Sequence, residues 1–217
     1  MAITRRTVTA ALSLTGLAAL AGISPLRLIA DAMAQSAAEI AKPQSLPDMA
    51  LGPADARVTI VEYAAPTCPH CAAFNRDVFP RIKSEYIDTG RVRYVFREFP
   101  LNIKDIACSM LTRAIAGGDS AKYFAVADIM FNQQDRLVEK TAETLKLIGK
   151  QAGLSSQAVE DCLKDQALLD KIAADQKYAA DVLKVQSTPT FFINGEMLKG
   201  EQSFDEFAKR INAMLKS

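Results

Sequence analysis

Histidine is almost absent from this chain: His70 is the single one among 217 residues. This scarcity excludes Ser-His-Asp and Cys-His catalytic arrangements that need a histidine away from residue 70. Excess charge is lacking as well, since 26 Lys and Arg residues against 25 Asp and Glu residues give a net charge of +1. The sequence has no basic run interleaved with aromatic residues, so we expect no nucleic-acid partner.

Cysteine is also scarce, with four residues that include one closely spaced pair, Cys68 and Cys71. A C-x-x-C pair is typical of a redox centre, half of a zinc site or a structural disulfide. A four-cysteine zinc site would need Cys108 and Cys162 to meet this pair, although each stands alone in a segment with helical spacing. We therefore predict a redox pair and no metal site, and keep a zinc-binding or disulfide-stapled module as the non-enzyme alternative.

Residues 1–34 have the pattern of a targeting signal. The pair Arg5-Arg6 is followed by an apolar or small stretch at 7–26, and Ala-Met-Ala at 32–34 is typical of a cleavage site. The arginine pair also resembles a twin-arginine signal, and an uncleaved membrane anchor is the alternative. We expect cleavage and export to the periplasm or another exterior location, where cysteines are oxidised.

Strand and helix patterns begin after a lead-in at residues 35–53, which has no clear period and is predicted to be partly ordered at best. Within residues 54–101, the β-branched run Val58–Tyr63 and the run Arg91–Phe99 flank a helical pattern that is disturbed at Pro80. Two strands joined through such a helix predict a βαβ unit with a parallel pair.

The character of the chain changes at residues 102–185, where we find helical patterns without a strand signal and predict an all-helical insertion. Strands return in residues 186–217: Asn194-Gly195 favours a hairpin, and Ser203 opens a capping box for a last helix. The predicted fold class is therefore α/β. Within the insertion, the predicted helix N-caps are Asp119, Ser155 and Asp165.

The motif Cys68-Pro69-His70-Cys71 lies where the first predicted strand gives way to a helix. The first turn of a helix offers unpaired N–H groups and the positive end of its dipole, which favour an anion. We expect Cys68 to be an exposed nucleophile with a lowered pKa, His70 to add a donor or a charge, and Cys71 to be the buried partner. A stabilised thiolate makes the disulfide an oxidant, which a substrate thiolate attacks at Cys68 to form a mixed disulfide.

Residues 50–217 resemble the DsbA-like branch of the thioredoxin superfamily in a combination of features. These are the C-x-x-C motif after a strand, the helical insertion, Thr188-Pro189, the hairpin and the last helix. The resemblance implies a thioredoxin fold with an all-helical insertion between an N-terminal βαβ part and a C-terminal ββα part. It also implies an exported thiol–disulfide oxidoreductase with no cofactor besides the Cys68–Cys71 disulfide. Its partners would be reduced or unfolded exported proteins and a membrane-bound protein that reoxidises the dithiol.

The resemblance assigns expectations to three further residues. Pro189 would be cis and packed beside the redox pair, with Thr188 offering backbone groups to an extended substrate. Glu62, six residues before Cys68, matches the buried acidic residue of the family, which would assist proton transfer. From the residues alone an X-Pro bond is trans by default, and Glu62 could equally be a strand carboxylate that faces solvent.

Cys108 and Cys162 have apolar neighbours at helical spacing. Two buried free thiols are one interpretation. In an oxidising compartment we prefer a structural disulfide between two helices of the insertion. The chain-entropy model predicts that this disulfide would stabilise the fold by roughly 4 kcal/mol.

The predicted activity is oxidation of dithiols in newly exported proteins, with an isomerase or a reductase on the same fold as the alternative. Isomerases of this superfamily usually need a dimerisation region ahead of the domain. Residues 35–53 are too few for one, so we expect a monomer. Threonine before the cis proline is shared with some isomerases.

Overall fold

The computed structural model describes residues 37–216, so the predicted signal at residues 1–34 lies outside the described part. Between residues 37 and 216 we find no helix with the length and apolar character needed to cross a bilayer.

A five-stranded sheet with the order β1-β3-β2-β4-β5 forms the centre of the fold. Strands β2 and β3 run parallel, and the other neighbouring pairs run antiparallel. The parallel pair confirms the βαβ unit, and the hairpin β4–β5 turns at Asn194-Gly195 as predicted. The strands are β1 Met49–Leu51, β2 Val58–Ala64, β3 Val92–Glu98, β4 Thr190–Ile193 and β5 Glu196–Lys199.

The helices α3 to α8 lie between β3 and β4 along the chain, which confirms the α/β fold class with a helical insertion. The predicted N-caps Asp119, Ser155 and Asp165 each accept a backbone N–H of the following turn. The helices are α1 Pro69–Asp77, α2 Phe79–Ile82 followed by a π-helical turn Lys83–Ile87, α3 Ile103–Ala116, α4 Ser120–Asn132, α5 Gln134–Glu139, α6 Thr141–Gln151, α7 Ser156–Cys162, α8 Gln166–Asp181 and α9 Phe204–Lys216.

The two faces of the sheet bury alternate residues of the same strands, as the period of a strand requires. On one face Ile60 and Phe191 pack with Phe207 of α9. On the other face Val61 and Phe192 pack with Leu183, which follows α8. The sheet is thus covered on both sides, and the apolar core extends through it.

The lead-in is more ordered than predicted over residues 37–53. It contributes the edge strand β1, whose Met49 is 2% exposed. Asp48 makes a paired contact with the Arg97 guanidinium, with Nε at 2.7 Å and Nη2 at 3.0 Å. Asp175 of α8 accepts the N–H groups of Ser45 and Leu46. These partners are distant in sequence, so the local pattern of residues 35–53 gave no sign of them.

The first described residue, Ala37, packs against Gly195 in the turn between β4 and β5. Gly195 has a φ of 94°, and a Cβ added there would lie 3.0 Å from the Ala37 Cβ. Strand β4 runs antiparallel to β2, so this turn lies beside the start of β2. The C-x-x-C motif follows the end of β2 and therefore lies at the opposite end of the sheet.

Candidate active site

The redox motif begins at the N-terminus of α1. Cys68 is the N-cap, with an extended backbone at φ −79° and ψ 118°, and Pro69 occupies the first turn. Proline suits this position because the N–H it lacks would have no partner inside the helix. We call the preceding turn, residues 65–68, the redox loop; the Cys68 N–H closes it on the Ala65 carbonyl at 3.1 Å.

The environment of Cys68 favours its thiolate. The Cys71 thiol donates to it, and the backbone N–H groups of Cys71 and His70 face it, as expected at a helix N-terminus. These donors lower the pKa of Cys68 to about 5 although burial opposes them.

Cys71 has the opposite tendency. It is 0% exposed, and burial raises the pKa of its thiol far above the ordinary value. Its hydrogen bond to Cys68 and the nearby Glu62 carboxylate raise the pKa further. Two thiols of one short motif are therefore held in different protonation states.

The expectation that Cys68 is exposed is wrong, because this residue is only 6% exposed. Its Sγ lies 3.3 Å from the Thr188 carbonyl oxygen, which covers one side. Gln134 of α5 donates to the backbone carbonyls of Pro66 and Cys68, at 2.8 and 2.9 Å. Cys68 is still more accessible than Cys71, which is 0% exposed.

Residues of the insertion also hold the redox loop from the side of α3. The buried Asp105 carboxylate accepts the N–H of Thr67 at 2.7 Å and that of Leu101 at 3.0 Å. Asn102 donates from its amide to the Thr67 hydroxyl at 3.0 Å. Sequence reasoning did not find Asp105, Asn102 or Gln134, because polar residues at helix starts are common and nothing local shows that these contact residue 67 or 68.

His70 acts on Cys68 through its backbone N–H and not through its side chain. The imidazole side chain is 68% exposed, and its Nδ1 lies 3.2 Å from Glu201 Oε2. The predicted role of the ring as a donor to the thiolate is therefore corrected: its partner is a carboxylate 131 residues further along the chain. Glu201 was not predicted, since no local signal connects it with the motif.

Glu62 lies inside the protein, at 4% exposure, and not on a solvent-facing side of β2. It accepts a hydrogen bond from the Tyr94 hydroxyl, with 2.5 Å between Oη and Oε2. Burial raises the pKa of Glu62 to about 8, the charge of Cys68 adds to the rise, and the Tyr94 hydrogen bond opposes it. The carboxyl is therefore mostly protonated at neutral pH. Tyr94 was not predicted as a site residue.

The Thr188–Pro189 peptide bond is cis, as the resemblance implies. Thr188 is 7% exposed, and its carbonyl is the one that faces Cys68 Sγ. The backbone of residue 188 therefore lies beside the sulfur, just ahead of β4.

Cys108 and Cys162 lie at one apolar cluster of the insertion, together with Leu111 and Val159. Both are thiols in the structure, so their disulfide stays a prediction. Burial raises the pKa of Cys108 to about 12. Among residues 37–216, no three His, Cys, Asp or Glu side chains group closely enough to hold a metal ion.

Comparisons with known proteins identify relatives of this chain. A family model described as thioredoxin matches residues 44–213. A Rickettsia bellii protein named as a protein-disulfide oxidoreductase is 37% identical over 150 residues, 68% of this chain and 57% of that protein. The crystal structure of Wolbachia pipientis alpha-DsbA1 has 32% identity and a TM-score of 0.74, over 81% of this chain and 94% of that one.

The chain belongs to the DsbA-like branch of the thioredoxin superfamily. Among other relatives of this DsbA-like chain, disulfide bond formation protein D of Bacillus subtilis is 27% identical over 175 residues, which is 76% of each chain. The match covers 57% and 60% of two Rickettsia relatives, so this DsbA-like chain spans less than two thirds of their length.

Proposed function

We propose that this chain is an exported dithiol oxidase that transfers the Cys68–Cys71 disulfide to cysteine pairs of translocated proteins. The observation that carries the proposal is the contrast between the two thiols: the pKa of Cys68 is lowered to about 5, and that of Cys71 is raised. Stabilising the thiolate stabilises the reduced form, and this makes the disulfide form a stronger oxidant.

The reaction begins when a client thiolate attacks Cys68 Sγ, and the Cys68–Cys71 bond breaks. The Cys71 sulfur leaves with the electron pair and takes a proton, since its surroundings disfavour an anion. Glu62, whose pKa of about 8 leaves it largely protonated at neutral pH, is the proposed donor of that proton. A thiolate is thus avoided at the buried position.

The second client thiol then attacks the client sulfur of the mixed disulfide. Cys68 leaves as the stabilised thiolate, and the client gains its disulfide. Of the two protons that the client loses, one ends on Cys71 through Glu62 and the other is released to solvent. The Thr188 carbonyl beside Cys68 supports this scheme, because a client backbone that lies along residue 188 can donate to it.

Export and partners belong to the same proposal. The signal pattern at residues 1–34 supports export. Each cycle leaves a dithiol that must lose two electrons before the next client, so we propose a membrane-bound partner that reoxidises it.

The test is a redox titration of the Cys68–Cys71 pair against glutathione, with the thiolate followed by its ultraviolet absorbance as pH is varied. A potential of about −120 mV is expected for an oxidase, while one of about −270 mV would assign the chain to the reductases. Refolding of a protein with scrambled disulfides distinguishes an isomerase. A metal assay on the reduced protein tests the zinc-binding alternative, and a Cys68→Ser variant with unchanged activity would overturn the proposal.

A further inference from the structure

A buried carboxyl–phenol pair lies under the redox motif. Ile60 pairs with Tyr94 across β2 and β3, so Glu62 and Tyr94 lie close together on the face that packs on α1. Tyr94 is 1% exposed, and its ring packs against Phe79 and Phe124, with centroids 4.9 and 6.1 Å away. The hydroxyl is therefore held in place by the packing of its ring.

We propose that Tyr94 is a positioning residue for proton exchange between Glu62 and Cys71. The Tyr94 hydroxyl donates a hydrogen bond to Glu62 Oε2, and the other carboxyl oxygen, Oε1, exchanges the proton. The proposal rests on the dithiol oxidase function and names a residue that the mechanism above does not use. Its structural basis is the 2.5 Å hydrogen bond from Tyr94 to Oε2. This hydrogen bond is made to Oε2, so Oε1 is the carboxyl oxygen that Tyr94 does not occupy.

Tyr94 remains a donor at every working pH. Burial raises the pKa of its hydroxyl well above the ordinary value, and the Glu62 carboxylate raises it further. The groups whose charge is coupled to Glu62 are Tyr94 on β3, Cys68 and Cys71 at α1, and Tyr123 on α4. Each of these can carry only a negative charge, so none of them stabilises a Glu62 carboxylate by attraction. The Tyr94 hydrogen bond is the stabilising contact.

This contact matters most when the dithiol is reoxidised. An external disulfide first reacts with Cys68, one of its sulfurs leaves with a proton from solvent, and Cys68 stays bound to the other. Cys71 must then lose its proton to attack Cys68 Sγ and expel that second sulfur. Glu62 accepts the Cys71 proton only as a carboxylate, and it later releases it to solvent. The rate of this step therefore depends on the ionised fraction of Glu62.

Removing the Tyr94 hydroxyl changes that fraction in a known direction. A hydrogen bond to the charged form lowers an acid's pKa, so Tyr94→Phe should raise the pKa of Glu62. A rise of about one unit would reduce the carboxylate at neutral pH by about tenfold, and reoxidation should slow by a similar factor. The pH at which the rate increases should move upward by the same amount.

The experiment titrates the Glu62 carboxyl directly, by infrared difference spectroscopy on the reduced full-length chain, with Glu62→Gln to identify the band. Tyr94→Phe should move the midpoint of this titration to higher pH. The matched control is Tyr86→Phe, which removes another buried hydroxyl in the same core cluster, one that contacts Asn212. This control should leave the midpoint unchanged.

A kinetic measurement complements the titration. Reoxidation of the reduced protein by oxidised glutathione is followed over a pH series, and Tyr94→Phe should slow it near neutral pH but not in a Glu62→Gln background. A folded Tyr94→Phe variant with an unshifted carboxyl midpoint would overturn the proposal. So would an equal slowing in the Glu62→Gln background. The carboxyl titration needs no enzymatic turnover, so failure of the proposed oxidase function would be seen separately, as an absence of exchange in the wild-type chain.

Discussion

The Thr188 carbonyl oxygen lies 3.3 Å from Cys68 Sγ, across a separation of 120 residues. This contact joins the segment before β4 to the N-terminus of α1. We propose that a client cysteine reaches Cys68 along the backbone of residue 188. Under the proposed function, the reacting sulfur is next to the backbone that we propose holds a client peptide.

Replacing either cysteine of the motif should give different outcomes. In Cys71→Ser, the Cys68 thiolate can attack a client disulfide, one client sulfur leaves as a thiol, and the mixed disulfide should accumulate because the internal thiol that would release it is missing. In Cys68→Ser no mixed disulfide should form, because Cys71 is fully buried. Non-reducing gel electrophoresis after mixing each variant with a client that carries a disulfide measures both. Equal trapping by the two variants would contradict the assigned order of attack.

The reduced protein should gain stability relative to the oxidised one as pH rises. The pKa of Cys68 is lowered from 9.0 to about 5 on folding, so its contribution is complete above pH 9, declines as pH falls, and is lost near pH 5. The full difference is about 5 kcal/mol. Denaturant unfolding of both redox forms over this range checks the trend. A difference that is flat with pH would contradict the stabilised thiolate.

Asp105→Asn should destabilise the fold through the redox loop. The buried carboxylate accepts two backbone N–H groups, and an amide would turn a donor toward one of them. The expected loss in free energy of unfolding is about 1–3 kcal/mol, measured by denaturant titration. Asp119→Asn is the matched control, because this exposed N-cap accepts one N–H and asparagine caps a helix equally well. An equal loss in both variants would argue against a special role for Asp105.

Oxidised protein should contain no free thiol if Cys108 and Cys162 pair as predicted. Alkylation after denaturation counts the thiols, and mass spectrometry of a digest identifies the linked peptides. Two alkylated cysteines at 108 and 162 would show that this pair stays reduced. If the pair forms, Cys108→Ala with Cys162→Ala should lose roughly 4 kcal/mol of stability relative to the oxidised wild-type chain.

Local patterns in the sequence predicted much of the fold. The runs at Val58–Tyr63 and Arg91–Phe99 became the parallel pair, and the three N-caps of the insertion act as expected. These signals depend on residues within a few positions of one another. The strand β1 and the short helix α5 were missed, because β1 is ordered by contacts with distant parts of the chain and α5 spans only Gln134–Glu139.

The candidate site, like the fold, could be predicted from the sequence only in part. The C-x-x-C motif at a helix start could be read from neighbouring residues, and so could the preference of Cys68 for the thiolate. Three contacts could not be predicted from neighbouring residues, since they depend on how the insertion and the last strands pack against the redox loop. They are the Thr188 carbonyl beside Cys68, the hydrogen bond from Thr67 to Asp105 and the contact between His70 and Glu201. Burial of Glu62 follows from the register of β2, which poor alternation in its sequence left open.

The packing of Ala37 on Gly195 places residue 37 beside the start of β2, at the end of the sheet opposite the redox motif. Strand β2 has seven residues, so a rise of about 3.3 Å for each separates residue 37 from Cys68 by roughly 20 Å. Material attached ahead of residue 37, whether a tether, a fused module or a solid support, would therefore hold the protein with its reactive sulfur directed outward and open to clients.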